Sequence, residues 1–369
     1  MRKSYLDNIR WAVQIVVVLY HVVYMYNAVG IPGVVGPLGG ASVQYADLFL
    51  YIVYPWLMPV LFLVSGIAAQ KSLEQRSARE FLRQRTVRLL VPSTVGLFVF
   101  QFIQGYVNMN LSGAGAEMAA VPALVKFFVM CLSGIGVLWY LQLLWVFSLL
   151  LLPIRKLEGG RLHRLGGRTN WIAMLVLVVP VWLAGLVGNT PLIVVYRFGF
   201  YGIIYLLGYF VFSHDEVIER LKKLFPVVLV LALGCCAAFC VLYFGQNYAD
   251  YPINRTPLFA ASAWFGSLAI LSGAAKYADF SNAFTRWMNK NSFGLYVFHY
   301  LGVSAVGLFL AKPGYIPAPL AYLLSLIAGL GGAWILNAVI SRIPVVRWCV
   351  LGIGGKKKSN EKEGAHVSG

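Results

Sequence analysis

Polar residues recur along one side of the first apolar run of the chain, LDNIRWAVQIVVVLYHVVYMYNAVG at residues 6–30. On an α-helix, eleven residues make about three turns, so Arg10 and His21 point to the same side, roughly 16 Å apart along the axis. Gln14 lies between them, and Asp7 precedes Arg10 by three residues, within reach of an ion pair. A neutral imidazole accepts a proton near pH 7, and a guanidinium binds carboxylate or phosphate. The stripe therefore predicts proton transfer beside an anion-binding site.

An ionisable residue inside an apolar span is costly and usually faces a polar cavity or pathway. His21 is therefore a candidate site residue on physical grounds alone. The alternative is structural: His21 hydrogen-bonds a neighbouring helix, while Arg10 extends its guanidinium to the membrane surface.

Similar apolar runs make up most of the chain. The 369 residues are 60% hydrophobic and 12% charged, with a mean hydropathy of +0.75, whereas a soluble domain is about half apolar and roughly a quarter charged. We predict an all-α, polytopic integral membrane protein, because runs of roughly 17 to 25 apolar residues cross a bilayer as helices. The first run is expected to be retained as a span. The ten predicted spans are 9–29, 47–69, 89–108, 137–154, 171–188, 192–212, 225–244, 257–275, 292–311 and 319–340.

The net charge of +17 is distributed very unevenly. Of the 30 lysines and arginines, all but Lys126, Arg197, Arg255 and Lys312 fall on one side of the predicted spans. This is the positive-inside pattern, which predicts a multi-pass protein of the cell (inner or plasma) membrane with both termini cytoplasmic. Because the pattern accounts for the charge, membrane lipids are expected partners and nucleic acid is not.

The pattern also predicts where the membrane domain ends. We expect a transmembrane domain at residues 1–341 and a basic, disordered cytoplasmic tail at 342–369, which is polar and poor in aromatic residues. Residues 122–134 are predicted to form an interfacial or re-entrant piece. The five cysteines have no metal-ligand spacing, so no metal site and no permanently bound cofactor are expected.

Five short motifs connect the apolar runs to a known family. The chain resembles the integral-membrane acyltransferase family 3, whose members have an arginine, ten residues and a histidine in the first span, here Arg10 and His21. Four further motifs follow in the family's order. They are MPVLFLVSG at 58–66, RTVRLLVP at 85–92, VLWYLQLL at 137–144 and NSFGLYVFH at 291–299.

The resemblance implies transfer of an acyl group from cytoplasmic acyl-CoA to a hydroxyl group. Such a reaction needs a base for the hydroxyl proton, donors for the charge that develops on the thioester carbonyl, and cations for the CoA phosphates. His21 fits the base, although it could also be a nucleophile, and Arg10 fits a clamp on the donor. Arg85 and Arg88 share a predicted helical face and could grip phosphates, or simply anchor the third span. His299 could orient His21, contact the thioester carbonyl, or pair with another helix.

Further motif residues are candidate contacts for the substrates. Trp139 and Tyr140 either line an acyl tunnel or belong to an aromatic belt at the membrane surface. Ser65 and Gly66 could allow a close approach between helices. The predicted substrate-binding residues are Gln14, Tyr24, Asn27, Ser65, Trp139, Tyr140, Ser292 and Tyr296.

The transferred group is predicted to be acetyl, from acetyl-CoA, since the sequence shows no pocket cation for the second carboxylate of a succinyl group. The acceptor is a glycan, a lipid-linked sugar or a small molecule. Two alternatives stay open: a succinyltransferase acting on glucan, and a transporter or flippase for a lipid-linked sugar. A transporter predicts internal pseudo-symmetry and helices broken near the midplane, whereas the polar residues here gather in the first and ninth spans.

Overall fold

In the computed structural model, which describes residues 3–31, 33–39, 44–189 and 195–354, about 80% of the protein is helical. No strand occurs among these residues, so the predicted all-α polytopic membrane fold is confirmed. The helices are α1 (Ser4–Met25), α2 (Tyr45–Gln75), α3 (Ala78–Leu111), α4 (Ala123–Ser133), α5 (Gly136–Glu158), α6 (Arg161–Gly167), α7 (Trp171–Gly185), α8 (Phe198–Phe210), α9 (Asp215–Tyr243), α10 (Pro257–Tyr277), α11 (Ala283–Ala311), α12 (Ala318–Ile340) and α13 (Pro344–Leu351).

Within the described residues, eight helices are long and apolar enough to cross a membrane, namely α1, α2, α3, α5, α9, α10, α11 and α12. The predicted spans 171–188 and 192–212 correspond to shorter elements. The first is α7, which joins α6 at a bend of 113°. The second is α8, whose 13 residues are fewer than the roughly 20 of a straight crossing. Residues 192–194 of that predicted span lie outside the described part of the chain.

The predicted disordered tail is wrong in its first part. Pro344–Leu351 form a helix, and its residues Cys349, Val350 and Leu351 are buried. A Cβ on Gly96 of α3 would lie 3.0 Å from the carbonyl oxygen of Cys349, so this helix packs directly on α3. The polarity of the following residues concealed an apolar helix that is too short to span. Residues 355–369 lie outside the described part.

Contacts between chain ends and loops define two ends of the bundle. At one end, Lys3 forms an ion pair with Asp215, and the backbone N–H of Tyr5 donates to Asp279 at 3.1 Å. Most of the basic loops lie here, and we call it the basic end. That it faces the cytoplasm remains a prediction from the charge pattern. Contacts at the opposite end join Ala28 to Asp47, Tyr51 to Gln246 and Lys312 to Asn110.

Helices α2 and α8 cross at the centre of the bundle with their backbones in contact. A Cβ on Gly66 would lie 2.0 Å from the carbonyl oxygen of Tyr205, and one on Gly208 would lie 2.2 Å from that of Leu63. Only glycine permits this separation. The prediction that the stretch around Ser65 allows close helix approach is confirmed.

Helix α4 packs along α3, and the helical structure is interrupted after Ser133, before α5 begins. A Cβ on Gly105 would lie 1.7 Å from the carbonyl oxygen of Met130, and one on Gly134 would lie 2.0 Å from that of Gln101. Helix α5 begins at Gly136, close to the ring of Tyr300 deep in the bundle. Of the two alternatives predicted for residues 122–134, the structure therefore agrees with the re-entrant one: α4 packs on α3 and turns into α5 inside the bundle.

Two imidazoles meet at the basic end. The ring centroids of His163 and His214 are 4.1 Å apart, and Nε2 of His214 lies 2.9 Å from the carbonyl oxygen of His163. Nε2 of His163 lies 3.3 Å from the amide nitrogen of Gln70. Because an amide NH₂ only donates, this nitrogen of His163 accepts, and the geometry matches a neutral ring.

Acid is therefore expected to weaken the fold through His163. Burial and then His214 lower the pKa of His163 from its ordinary 6.5, with Arg155 acting in the same direction and Glu158 and Glu74 against it. Because the unfolded chain binds this proton more readily, the stabilisation is full above about pH 6.5 and declines as the pH falls below it.

The melting temperature in detergent at about pH 7.5 and about pH 5.5 tests this expectation, since an ordinary histidine titrates between them. On acidification, the melting temperature of the wild type should fall by more than that of a His163→Gln variant. An equal loss in both proteins would contradict the role given to His163.

Candidate active site

Two histidines meet inside the bundle, one on α1 and one on α11. Nε2 of His299 lies 3.1 Å from Nδ1 of His21. The same Nδ1 of His21 is 2.8 Å from the carbonyl oxygen of Val17. Nδ1 of His299 is 2.9 Å from the carbonyl oxygen of Tyr296 and 3.1 Å from that of Leu295. The two predicted histidines, 278 residues apart in sequence, are thus direct partners.

These contacts fix the tautomer of both rings when they are neutral. Carbonyl oxygens only accept, so Nδ1 of His299 carries a hydrogen and its Nε2 carries the lone pair. Nδ1 of His21 therefore donates to His299 and Val17, and the lone pair of His21 lies on Nε2. No residue in the described part of the chain hydrogen-bonds this Nε2. His299 is fully buried and His21 only partly, so His21 presents a base that His299 orients.

Tyrosine rings surround His21. The ring centroids of Tyr300, Tyr20 and Tyr24 lie 5.0, 5.3 and 6.0 Å from that of His21. Tyr20 also stacks on Tyr54 at 6.2 Å. Of these four, only Tyr24 was predicted as a site residue, and it does lie beside His21.

Further tyrosines continue this wall toward the end opposite the basic end. The hydroxyl oxygens of Tyr20 and Tyr248 are 3.0 Å apart, and the ring of Tyr248 lies 4.7 Å from that of Tyr54. Flat rings with hydroxyl groups are suited to stacking on, and hydrogen-bonding to, a polar ring such as a sugar.

Arg10 lies at the basic end of the same helix. It donates to Asp7 at 3.0 Å, and about a third of its side chain is exposed (35%). It lines a cavity of about 390 Å³ between α1 and the end of α2. Further cations, Lys3, Lys71 and Arg76, line the same cavity. The predicted anion-binding position therefore opens to the aqueous side at the basic end.

Arg85 and Arg88 were predicted to lie on one face of an α-helix, and the structure differs from this prediction. Thr86–Leu90 form a wide, π-helical turn, so the regular α-helical spacing assumed between the two arginines is wrong. Arg85 is half-buried and interacts electrostatically with Arg10 and Tyr140. Arg88 is exposed. The structure groups Arg85, but not Arg88, with Arg10.

Gln14 lies on α1 between Arg10 and His21. Its carbonyl oxygen Oε1 is buried and has no hydrogen-bond partner in the described part of the chain. A buried acceptor without a donor is costly. Gln14 is thus suited to receive a hydrogen bond from a bound molecule.

The motif residues of α2, α5 and α11 pack together beside the histidines. The hydroxyl oxygens of Ser65 and Tyr140 are 3.1 Å apart, and Tyr296 donates to the carbonyl oxygen of Val137. The rings of Tyr140 and Tyr296 are 5.9 Å apart. Tyr140 is buried, and Trp139 packs on interior rings, so the aromatic-belt interpretation of these two residues is wrong. They lie inside because α5 begins inside the bundle.

The side chains of Asn27 and Ser292 form hydrogen bonds with backbone groups that are close to them in sequence. The amide of Asn27 donates to the carbonyl oxygen of Tyr24 at 2.5 Å and accepts from the N–H of Val29 at 2.8 Å. The hydroxyl of Ser292 donates to the carbonyl oxygen of Asn289 at 3.3 Å. The contacts of Asn27 lie in the turn after α1 and that of Ser292 lies inside α11, and the structure does not bring either side chain to His21.

One buried cation was missed by the sequence-based site. Arg197, only 2% exposed, donates to the carbonyl oxygen of Asn254 at 2.6 Å. Its guanidinium carbon lies 4.3 Å from the ring centroid of Phe200 and 4.7 Å from that of Phe259, with Tyr54 beside it. The sequence did contain a signal for this residue, because Arg197 is one of the four cations on the side of the predicted spans that has few charges.

In the described residues, no three His, Cys, Asp or Glu side chains come together as ligands for a metal ion.

The chain matches the family model described as an acyltransferase domain over residues 3–338. The match includes Arg10, His21 and His299. No curated protein and no solved structure matches the chain.

Proposed function

The chain belongs to this family of integral-membrane acyltransferases, and from that premise we propose that it is an O-acyltransferase using acyl-CoA. The acyl group is acetyl by default, and the acceptor is a hydroxyl of a glycan, a lipid-linked sugar or a small molecule. One observation carries the proposal: His299 holds His21 in the tautomer that leaves Nε2 as a base, on the same helix as the Arg10 cavity.

The donor is proposed to enter from the basic end. Arg10 and Arg85 bind its phosphates or the arm that carries the thioester, through charge-assisted hydrogen bonds. The thioester then extends along α1 past Gln14 toward His21. This direction requires the basic end to be cytoplasmic, as the positive-inside rule predicts.

The transfer follows from the position of His21. The acceptor hydroxyl gives its proton to Nε2 of His21 as its oxygen attacks the thioester carbonyl carbon. The new C–O bond forms, the C–S bond breaks, and the leaving thiolate takes the proton back from Nε2. Nδ1–H of His21 donates to Nε2 of His299 throughout, which stabilises the transient imidazolium. A phenol such as Tyr24 or Tyr300 is suited to donate to the carbonyl oxygen as negative charge develops.

Arg197 is the observation that favours the succinyl alternative. The sequence indicated no pocket cation, but Arg197 is a buried cation beside Tyr54, whose ring stacks on Tyr20 next to His21, and it could bind a second carboxylate. A comparison of succinyl and acetyl transfer in the wild type and in an Arg197→Lys variant separates the two groups. Succinyl transfer by the wild type that Arg197→Lys selectively loses would favour succinyl. Acetyl transfer by both proteins, with no succinyl transfer by the wild type, would favour acetyl.

Donor binding by the purified protein in detergent tests the role of Arg10. Arg10→Ala is expected to weaken acetyl-CoA binding by roughly tenfold to a hundredfold, because it removes charge-assisted contacts with an anion. In turnover, the Michaelis constant for the donor should rise accordingly. His21→Ala should bind the donor as the wild type does.

Arg83→Ala is the matched control, since Arg83 is exposed at the same end and does not line the cavity. Wild-type affinity in Arg10→Ala would remove Arg10 from the donor site. If the wild type binds no CoA thioester, the proposal that acyl-CoA is the donor is wrong. The transporter alternative would then gain support from the break between α4 and α5.

A further inference from the structure

A second cavity, larger than the one at Arg10, lies outside the site described so far. It has a volume of about 820 Å³ and opens at the basic end, between the end of α2, the end of α5 and α6. It shares Gln70 and Glu74 with the cavity at Arg10, so the two adjoin across α2. Any ligand that fills the Arg10 cavity therefore has this second space beside it.

The cations of this cavity are available to a ligand. Arg155, Lys156 and Arg164 line it and are exposed, and none of them forms an ion pair within the described part of the chain. The two acids of the lining are already engaged. Glu74 accepts from Gln70 at 2.7 Å, and Glu158 accepts from the backbone N–H of Leu162 at 2.8 Å. The free hydrogen-bond donors of the cavity are therefore mainly cationic.

One of these cations, Arg164, lies in the first turns of α6 after a tight glycine turn that also lines the cavity. Gly159 and Gly160 both have positive φ, at 58° and 79°, and lead from α5 into α6. A Cβ on Gly160 would lie 3.3 Å from Nη1 of Arg164, so the absence of a side chain leaves space for the guanidinium. Tyr209 and His163 also line the cavity and supply flat rings, with centroids 6.2 Å apart. Cations and flat rings together suit a phosphorylated nucleotide.

We propose that this cavity binds the nucleotide end of the acyl-CoA donor, with its 3′-phosphate on Arg155 and Arg164. The inference rests on the proposed acyl-CoA donor. An acyl-CoA joins a narrow arm, which carries the thioester, to a broad nucleotide with a pyrophosphate and a 3′-phosphate. The smaller cavity at Arg10 takes the arm, and the larger one takes the nucleotide. The pyrophosphate lies between them, above Gln70.

The test compares donors that differ only at this end. Binding of acetyl-CoA, acetyl-3′-dephospho-CoA and acetyl-pantetheine is measured for the wild type and for an Arg155→Gln/Arg164→Gln double variant. The wild type is expected to prefer acetyl-CoA over the dephospho form by roughly tenfold to a hundredfold. The double variant should lose this preference and bind acetyl-pantetheine as the wild type does.

Arg161→Gln is the control, because Arg161 is an exposed arginine of α6 that does not line the cavity. It should keep the preference. If the wild type binds acetyl-CoA and the double variant keeps the full preference, this inference is wrong and the proposed function stands. If the wild type binds none of the three compounds, the proposed donor itself is wrong.

Discussion

Replacing His21 by alanine is expected to lower acyl transfer by about a hundredfold to ten-thousandfold, the usual contribution of a general base. Of the two paired imidazoles, the variant removes the one whose Nε2 the geometry leaves free to accept the hydroxyl proton. The protein should still fold, because the imidazole is only partly buried. The measurement is transfer of radiolabelled acetyl from acetyl-CoA into the membrane fraction of cells that produce the protein.

Two further variants separate the base from its positioning partner. His366→Ala, which changes a histidine of the predicted tail, should transfer at the wild-type rate. His299→Gln should lie between the wild type and His21→Ala, and it should shift the pH profile of transfer, because Nδ1 of His21 then loses its imidazole acceptor. Wild-type transfer by His21→Ala would remove it from the reaction.

Adding a single methyl group at Gly66 is expected to prevent stable folding. A Cβ there would lie 2.0 Å from the carbonyl oxygen of Tyr205 and 2.9 Å from the backbone nitrogen of Tyr209. Both neighbours are backbone, so neither can rotate away. The cost should exceed about 3 kcal/mol, the upper end of the usual cost of overpacking. The yield of monodisperse protein in detergent and its melting temperature measure the effect.

Gly331→Ala is the matched control, since Gly331 is also helical and a Cβ there would meet nothing within 4 Å. It should keep or slightly raise the melting temperature, because alanine favours the helix by roughly 0.5 to 1 kcal/mol over glycine. Equal melting temperatures for Gly66→Ala and the wild type would mean that α2 and α8 can separate.

The sequence predicted the membrane fold and the stripe on α1 because both depend on local properties. Hydropathy sets the spans, and helical periodicity places Arg10 and His21 on one side. The partnership of His21 with His299 could be offered only as one of three alternatives. It depends on how α1 packs against α11, which the pattern along one helix does not contain.

The predictions for Arg85, Arg88, Trp139 and Tyr140 failed because they assumed regular α-helices that cross the whole membrane. The shared face of Arg85 and Arg88 was calculated for an α-helix, but a π-helical turn begins between them. Trp139 and Tyr140 resembled a belt because α5 looks like an ordinary span that starts at the membrane surface. Its start inside the bundle depends on the close packing of Gly134 against α3, a tertiary contact.

The glycine contacts between α2 and α8 also constrain how the protein can move. Two helices whose backbones are in direct contact cannot slide past each other without first separating. We therefore expect α2 and α8 to move as one rigid body. Tyr54 of α2 and Tyr201 of α8 both lie beside Arg197, so these two rings would keep their spacing during such a motion. Admission of the proposed acceptor would then require displacement of other elements around this pair. Among the described helices long enough to span, α9 is the most peripheral, since only 11% of its apolar stretch is buried, and it packs chiefly against α10.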